Sequence, residues 1–345
     1  MTRSRRIVST GAATIATIAD EVGVSLTTVS KVLNGRSDVA PETRARVEAS
    51  LERHRYRRRA KRQPSAVEQI DLVFHELDSG WATQIIHGVQ AVTNTANIGV
   101  VLSQLGGRHR PSQQWLEGVL LRRPLGVLLV LCHLTEAQLQ QLARRSIPLV
   151  VIDTDSATSA SVPTVGSNNW NGGLLATRHL LELGHRRVAC ISGPKDVLCS
   201  QARTAGFRSA HDEAGIPVDP ALVRYGMFSA HAGYQYGMEL LSRPDRPTAI
   251  FAGSDIQALG VLRAARQLNL DVPTDLSVIG YDDLPVASWM GPALTTVNQP
   301  LRDMAGTATQ MLLDLARGAE LSTSRIDLVT ELVVRESTAP PRLRD

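Results

Sequence analysis

The stretch Thr14-Ile15-Ala16-Thr17-Ile18-Ala19-Asp20-Glu21-Val22-Gly23-Val24-Ser25-Leu26-Thr27-Thr28-Val29-Ser30-Lys31-Val32-Leu33-Asn34-Gly35 reads as two short helices joined by a tight turn. Apolar residues at 15, 18, 19 and 22 fall at the i, i+3, i+4, i+7 spacing of one helix face, and Thr14 is placed to cap it. Gly23 stops that helix, because glycine adopts a left-handed conformation at little cost. Ser25 then offers a cap for a second helix, Leu26 to Leu33, whose inward face is Val29, Val32 and Leu33. Asn34-Gly35 ends it, and Pro41 suits the first position of a third helix. In that third helix Val47 and Leu51 face inward, and Arg44 and Arg46 face out.

This spacing predicts a helix-turn-helix whose second helix enters a DNA major groove with its N-terminal residues toward the bases. Thr27, Thr28 and Ser30 carry hydroxyls suited to base edges or phosphates, and Lys31 stands beside them. Leu26 offers apolar contact only, for example to a thymine methyl. A plain three-helix bundle without a ligand has the same spacing, and charge separates the two readings. Residues 1–62 hold 14 Lys+Arg against 6 Asp+Glu, whereas the remainder hold 23 against 27. A small basic head on a mildly acidic body is the layout of a nucleic-acid-binding module joined to something else, although a solvated basic tail would share it.

The whole chain bounds the answer further. Its 345 residues, 43% hydrophobic, 20% charged and only 4% aromatic, describe a globular protein of two or three domains and exclude collagen, a coiled-coil rod and a long disordered tail. No run of eighteen apolar residues exists, which predicts no membrane span. The basic start Met1-Thr2-Arg3-Ser4-Arg5-Arg6 lacks the apolar core of a signal peptide, so export is not expected. Cys132, Cys190 and Cys199 have neither disulfide nor zinc spacing; Cys132 and Cys190 read as small core residues. A cytoplasmic protein with no metal and no cofactor is expected.

From Ile70 onward short apolar runs alternate with amphipathic stretches. Strands are predicted at Ile70–Phe74, Gly99–Leu105, Gly126–Leu131, Leu149–Asp153, Val188–Ile191, Ala249–Ala252 and Leu276–Tyr281. Helices are predicted at Ala82–Ala96, Gln113–Leu121, Glu136–Arg144, Trp170–Leu183, Arg203–Ala214, Gly233–Leu241, Ile256–Leu268 and Leu301–Ala316. Continuous apolar strands alternating with helices mean parallel sheets buried on both faces, and this length suits two α/β lobes. Ligands in such sheets lie at the carboxyl ends of the strands. Those ends carry His75-Glu76-Leu77-Asp78, Asp153-Thr154-Asp155, Ser192-Gly193-Pro194, Ser254-Asp255 and Asp282-Asp283. The set is polar and poor in phosphate-cradling glycines, which suits a neutral, hydroxyl-rich ligand. Trp81, Phe228 and Trp289 offer faces for stacking on a sugar. There is no Gly-x-Gly-x-x-Gly after a strand, no Walker loop and no nucleophile–base–orienter set, so no catalytic residue is expected.

The segment Thr14 to Tyr56, including Val39-Ala40-Pro41-Glu42-Thr43-Arg44-Ala45-Arg46-Val47, resembles the DNA-binding signature of the LacI family of bacterial transcription regulators almost without a break. The body resembles that family's effector domain, which is similar to periplasmic sugar-binding proteins. The matching stretches include Val165-Gly166-Ser167-Asn168-Asn169, Ala176 to Val188, Arg203-Thr204-Ala205-Gly206-Phe207, Gly280-Tyr281-Asp282-Asp283-Leu284 and Leu294-Thr295-Thr296-Val297. The resemblance implies an N-terminal all-α helix-turn-helix domain followed by a two-lobed α/β domain with parallel sheets. The expected boundaries are 12–58 for the helix-turn-helix, 59–68 for a basic linker and 69–341 for the two lobes, with crossovers between lobes near residues 161, 292 and 322.

Carried over residue by residue, the resemblance makes Leu26 and Thr27 the main base-reading pair. It gives Thr17, Ser25, Thr28, Ser30 and Asn34 to the phosphate backbone. Tyr56, Arg57, Arg58 and Arg59 extend the DNA-binding set, because Arg53 to Arg62 holds seven Lys/Arg in ten residues and predicts steep salt dependence. Here the sequence departs from the family, which follows the tyrosine with Pro-Asn and a hinge helix carrying a groove-wedging leucine. This chain has Tyr56-Arg57-Arg58-Arg59-Ala60-Lys61-Arg62-Gln63-Pro64-Ser65 instead, and Pro64 opposes a helix there. An arginine arm in the minor groove and a basic tether both remain open.

For the effector, the resemblance implies that Arg203 forks onto adjacent hydroxyls, that Asp282 and Asp153 accept hydrogen bonds from them, that Phe228 stacks, and that Ser254 stands in the contact set. Ser79-Gly80-Trp81 and His75-Glu76 depart from the usual residues, which alters one pocket wall and brings in Trp81 and Glu76. Plainer roles stand beside these. Asp282 and Asp283 could cap a turn, Arg203 could be a surface charge, Asp255 is expected to cap a helix, and His179 and His185 to serve packing. The expected function is a repressor that binds a pseudo-palindromic operator as a homodimer. A small effector controls it: a mono- or oligosaccharide of plant origin, with a purine as the other possibility within the family. The chain ends soon after Ala339-Pro340-Pro341 without apolar heptads, so a dimer rather than a tetramer is expected. The rival, a sugar-binding protein without a DNA role, explains the body but not the head.

Overall fold

The computed structural model describes residues 15–33, 39–54, 68–77, 79–106, 109–153 and 162–342. The chain divides into two units, Met1–Ala66 and Val67–Asp345.

The first unit contains α1 (Ile15–Val22), α2 (Leu26–Leu33) and α3 (Pro41–Arg53). Ile18, Ala19, Val22, Val29, Val32 and Val47 form its core, with Leu51 packed against it. Gly23 takes φ +70°, and the Val24 N–H reaches back to the Ala19 carbonyl at 3.0 Å, closing α1 in a Schellman-type turn. Ser25 caps α2, its Oγ accepting from the Thr28 N–H at 3.1 Å. The predicted cap at Thr14 lies outside the described residues. Arg46 is exposed as expected, yet its guanidinium donates to the last carbonyl of α1, Val22 O, at 2.5 Å. The Glu21 carboxylate ties α1 to the end of α3 by accepting from Ser50 Oγ at 3.0 Å, Arg53 Nη1 at 2.8 Å and His54 Nε2. The hydrogen bond from His54, with that from Ser50, holds this carboxyl below its usual value.

The second unit alternates strands and helices: β1 (Gln69–Phe74), α4 (Gly80–Ala96), β2 (Gly99–Gln104), α5 (Gln113–Arg122), β3 (Val127–Val130), α6 (Glu136–Ala143), β4 (Leu149–Ile152) and β5 (Thr164–Ser167) come first. Then follow α7 (Asn169–Glu182), β6 (Val188–Ser192), α8 (Leu198–Glu213), β7 (Val223–Tyr225), α9 (Ala230–Leu241), β8 (Ala249–Ala252), α10 (Asp255–Gln267) and β9 (Ser277–Asp282). The chain ends with β10 (Thr295–Asn298), α11 (Leu301–Ala316), β11 (Arg325–Leu328) and β12 (Glu331–Val333).

These strands build two six-stranded sheets, ordered β11-β5-β4-β3-β1-β2 and β12-β10-β9-β8-β6-β7. All their pairings are parallel except β10 with β12. Strands β3, β4, β6, β8 and β9 are buried along their whole length, as continuous apolar runs require when helices cover both faces. Apolar side chains of β1, β3 and β4 pack in one direction against α4 and α11, and in the other against α5 and α6.

The chain passes between the sheets after β5, after β10 and between β11 and β12. Each passage falls several residues beyond the position expected near 161, 292 and 322. The cause is that the strands feeding the crossovers, Thr-Val-Gly-Ser, Thr-Thr-Val-Asn and Arg-Ile-Asp-Leu, are short and polar and were not recognisable as strands from their pattern. Helix α8 also starts at Leu198 rather than at Arg203, so Arg203 sits inside it. No helix among the described residues is long and apolar enough to cross a membrane.

Candidate functional site

At the start of α2 the DNA-facing candidates are laid out in order. Leu26 is 55% exposed, so its side chain is accessible at the helix start, and Thr27 is exposed beside it. The Thr28 hydroxyl is 2.9 Å from Ser25 Oγ, so these two fix the helix start. Thr17 on α1 is exposed, and Ser30 and Lys31 are half-buried. Asn34, Tyr56, Arg57, Arg58 and Arg59 lie outside the described residues.

In the second unit, Glu76, Trp81, Asp153, Arg203, Phe228, Ser254 and Asp282 all line one cavity of about 420 Å³. Glu76, Asp153 and Ser254 follow the ends of β1, β4 and β8, Asp282 is the last residue of β9, and Trp81 lies on the first turn of α4; Arg203 and Phe228 stand elsewhere. Arg203 projects from the second turn of α8, and Phe228 from the loop before α9.

Arg203 is the centre of the site. Two glycines set its position: a Cβ on Gly173 would lie 2.1 Å from the Arg203 carbonyl, and one on Gly206 2.1 Å from Trp170 O. Helices α7 and α8 therefore touch backbone to backbone, which is possible only without side chains at those points. Arg203 is 3% exposed. Its Nε donates to Asn169 Oδ1 (2.8 Å), Nη1 to Gly253 O (2.5 Å) and Nη2 to Gln299 Oε1 (3.2 Å). Its guanidinium lies 3.6 Å from the Tyr281 ring centroid and 5.5 Å from that of Phe228. This rules out the surface-charge alternative. It also qualifies the expected fork, since three of the five N–H donors are engaged within the protein.

Two carboxylates bracket the guanidinium. Asp282 Oδ1 is 3.6 Å from Nη1. Asp153 belongs to the other sheet and is linked through Gln299, whose Nε2 donates to Asp153 Oδ2 at 3.0 Å. Burial pushes both carboxyls above their usual value, and the Arg203 charge opposes that rise. Asp153 (φ 51°) and Asp282 (φ 106°) hold positive backbone angles, which turn the chain sharply at the strand ends and aim both side chains inward.

The plainer roles weighed for the neighbours resolve individually. Neither Asp282 nor Asp283 caps a turn: Asp283 accepts from Arg335 Nη2 at 2.6 Å and from Asn298 Nδ2 at 3.1 Å. The expected cap at Asp255 is corrected. Ser254 caps α10, with Oγ accepting from the Gln257 N–H at 3.1 Å. Asp255 instead is fully buried and accepts from the Leu284 N–H (2.7 Å) and Thr296 Oγ1 (2.5 Å). His185 contacts Thr248, Ser277 and the Ala339 carbonyl, and His179 contacts Thr338, as packing residues do. Trp289 is 86% exposed and is not part of the cavity wall, so its stacking role is withdrawn.

Sequence reasoning missed Gln299, Asn169, Tyr281 and Cys199, as well as the stacked His75–His109 pair (centroids 4.8 Å apart). No motif marks Gln299; it matters because a crossover delivers it between the lobes. Burial raises the Cys199 thiol to about 12, which leaves it protonated and inert as a nucleophile near neutral pH.

The Asp255 carboxyl makes a testable case. Burial drives it up to about 7, the hydrogen bonds from Thr296 and the Leu284 amide favour its charged form, and Asp283 adds to the rise. A carboxyl raised above its unfolded value contributes stability that is full below about pH 4 and is lost as pH climbs through the folded value. The advantage of wild type over Asp255→Asn is therefore expected to be largest near pH 4 and to shrink by a few kcal/mol towards pH 8. Urea unfolding followed by tryptophan fluorescence reads this, since all four tryptophans lie in the second unit. A gap independent of pH would mean that Asp255 stays ionised throughout.

A helix-turn-helix unit in one chain with a two-lobed domain, whose walls converge on a largely apolar cavity set with Glu76, Asp153, Arg203 and Asp282, defines a ligand-responsive DNA-binding regulator. Residues 14–59 match the model of bacterial regulatory proteins of the lacI family, and residues 177–338 match that of the periplasmic binding protein-like domain. The HTH-type transcriptional repressor PurR of Escherichia coli is 34% identical over 343 residues, covering 96% of this chain and 99% of PurR. The transcriptional regulator CelR in complex with cellobiose superposes with a TM-score of 0.71 at 32% identity, covering 94% of this chain and 99% of CelR. The lac repressor dimer bound to operator and the anti-inducer ONPF gives a TM-score of 0.68 at 28% identity, covering 95% and 100%. This chain belongs to the LacI family of bacterial transcriptional regulators. Its relatives regulate transcription and are not enzymes.

Proposed function

We propose that this regulator is a cytoplasmic repressor that binds a pseudo-palindromic operator as a symmetric homodimer, and that a small sugar-type effector held between its lobes sets its operator affinity. The observation that carries the effector reading is the Arg203 network. It joins Asp282 of one lobe to Asp153 of the other through Gln299, with Trp81 and Phe228 in the wall of the same cavity. Carboxylates and a guanidinium satisfy hydroxyls, and aromatic faces cover the C–H face of a sugar. CelR with cellobiose supports the same class. Because both lobes contribute groups, ligand binding favours the closed arrangement, and its leverage on DNA equals its differential affinity for the two arrangements. Two-fold symmetry of the dimer matches two half-sites.

In this reading residues 12–58 read DNA through Thr17, Ser25, Leu26, Thr27, Thr28, Ser30, Lys31 and Asn34. Residues 59–68 serve as the basic linker, which Tyr56, Arg57, Arg58 and Arg59 lead into. Residues 69–341 hold the effector and the dimer contact.

Removing residues 1–62 tests the division. The truncated chain is expected to lose operator binding completely and to retain calorimetric binding of a sugar from a panel of monosaccharides, disaccharides and purine bases. Retained DNA binding would place the DNA-reading surface elsewhere. Binding of purines alone would replace the sugar class.

A further inference from the structure

Gln299 lies on the crossover from β10, in the second sheet, to α11, which packs on the first. It is 2% exposed and stands behind the wall of the main cavity rather than in it. Its Oε1 accepts from Arg203 Nη2 at 3.2 Å, and its Nε2 donates to Asp153 Oδ2 at 3.0 Å, with Met304 Sδ of α11 3.7 Å away. The amide fits one way round only, because a guanidinium donates and never accepts. Arg203 belongs to the lobe of the second sheet and Asp153 to that of the first, so this one side chain ties the lobes together at the groups assigned to the effector. An apolar contact accompanies it. Leu284 and Ile256 of the second lobe pack on the core of the first, and a Cβ on Gly80 would lie 3.5 Å from Leu284 Cδ1.

Every group in this bridge belongs to the chain itself, so the bridge needs no effector to form. Both of its hydrogen bonds join an amide to a charged group, the stronger kind, and a separation of the lobes breaks at least one of them. The bridge therefore favours the arrangement in which Asp153 and Arg203 stand on either side of one amide. An effector that contacts Asp153 from one lobe and Arg203 or Asp282 from the other favours that same arrangement. Two influences that favour one state act in the same direction on any property governed by the balance of states. Operator affinity is such a property in the function proposed above.

We propose that Gln299 is a positioning residue that sets the balance between the lobe arrangements before any effector binds, and with it the resting operator affinity. It acts through Asp153 and Arg203 and has no need to touch the effector. The proposal rests on the reading that a sugar held between the lobes controls operator affinity. It carries a sign. Loss of the bridge shifts the sugar-free operator Kd in the direction opposite to the shift that the effector causes in wild type. A Gln299 that only fills space and satisfies buried charges would change stability and leave that Kd where it is.

Fluorescence anisotropy of full-length wild type, Gln299→Met and Gln299→Glu on duplex DNA from upstream of its own gene tests this, without sugar and with glucose, galactose, cellobiose, maltose or lactose. The Gln299→Met change keeps the side chain's length and removes both hydrogen bonds. The Gln299→Glu change keeps an acceptor for Arg203 and sets a second carboxylate against Asp153. Both variants are expected to shift the sugar-free Kd by about fivefold or more, opposite in direction to the sugar that acts on wild type. Urea unfolding shows that each variant is folded, and an unchanged affinity for scrambled duplex shows that the DNA-binding unit is intact. A sugar-free Kd within about twofold of wild type in both folded variants, or a shift in the same direction as the sugar, would overturn the proposal and leave the sugar reading standing. A wild type that responds to none of the five sugars would overturn that reading instead, and a shifted sugar-free Kd would then support the bridge by itself.

Discussion

Arg203→Ala is expected to raise the effector Kd by about a hundredfold or more, and to lower the stability of the two-lobed unit by about 3 kcal/mol. Two separate losses combine. The ligand loses a charged hydrogen-bonding partner, worth about 1.5–3 kcal/mol per bond. The protein loses the cation that Asp153 and Asp282 face, and its backbone and amide partners at Gly253, Asn169 and Gln299 lose a donor. Without that charge nothing of comparable strength opposes the effect of burial, so both carboxyls shift further towards the neutral form. Adding Asp282→Asn should return part of the stability and none of the binding, because it removes a stranded carboxylate without restoring the fork. Arg203→Lys should keep the charge but not the planar geometry, and should fall between the two. Calorimetry and urea unfolding read these outcomes. A change in effector Kd below about tenfold for Arg203→Ala would mean that the effector binds elsewhere.

The double substitution Leu26→Ala with Thr27→Ala is expected to weaken operator binding by about a hundredfold while changing affinity for unrelated duplex little. Both side chains are exposed at the start of α2 and belong to no core, so the helical unit should fold as before. Base-edge contacts supply discrimination of about 1–3 kcal/mol each, whereas the basic charge that drives non-selective binding is untouched. Exchanging the two for other side chains should instead redirect the preferred sequence. Competition between operator and scrambled duplex measures both effects. Equal losses on operator and scrambled DNA would show that this helix end contacts backbone rather than bases.

Much of this was legible in the chain because local chemistry and global fold agree. Gly23 and Ser25 declare a turn and a cap in the sequence and act as both in the structure. The apolar runs of β3, β4, β8 and β9 are strands because no other placement hides them on two sides. What stayed hidden is held by distant partners. The strand at Thr295–Asn298 is half threonine, and its polar side chains find partners in Asp255, Asp283, Thr338 and the Arg335 N–H, which lie outside the strand and mostly far away in sequence. Its misreading displaced the second crossover, and with it concealed Gln299, the residue that joins the two lobes across the site. Asp255 departs from its expected role for a similar reason. A carboxylate at a helix start reads as a cap, but here Ser254 already caps the helix and Asp255 holds β10 and the Leu284 turn. For Trp289 an aromatic near a strand end suggested a ligand face, and burial decided otherwise.

Fluorescence anisotropy of the full-length chain on duplex DNA from upstream of its own gene, against a scrambled competitor, would examine the account most directly when repeated with each sugar of the panel. Selective binding is predicted, with at least one sugar shifting the operator Kd in wild type and failing to shift it in Arg203→Ala. Binding that does not distinguish operator from scrambled duplex, or a sugar response that survives in Arg203→Ala, would contradict it.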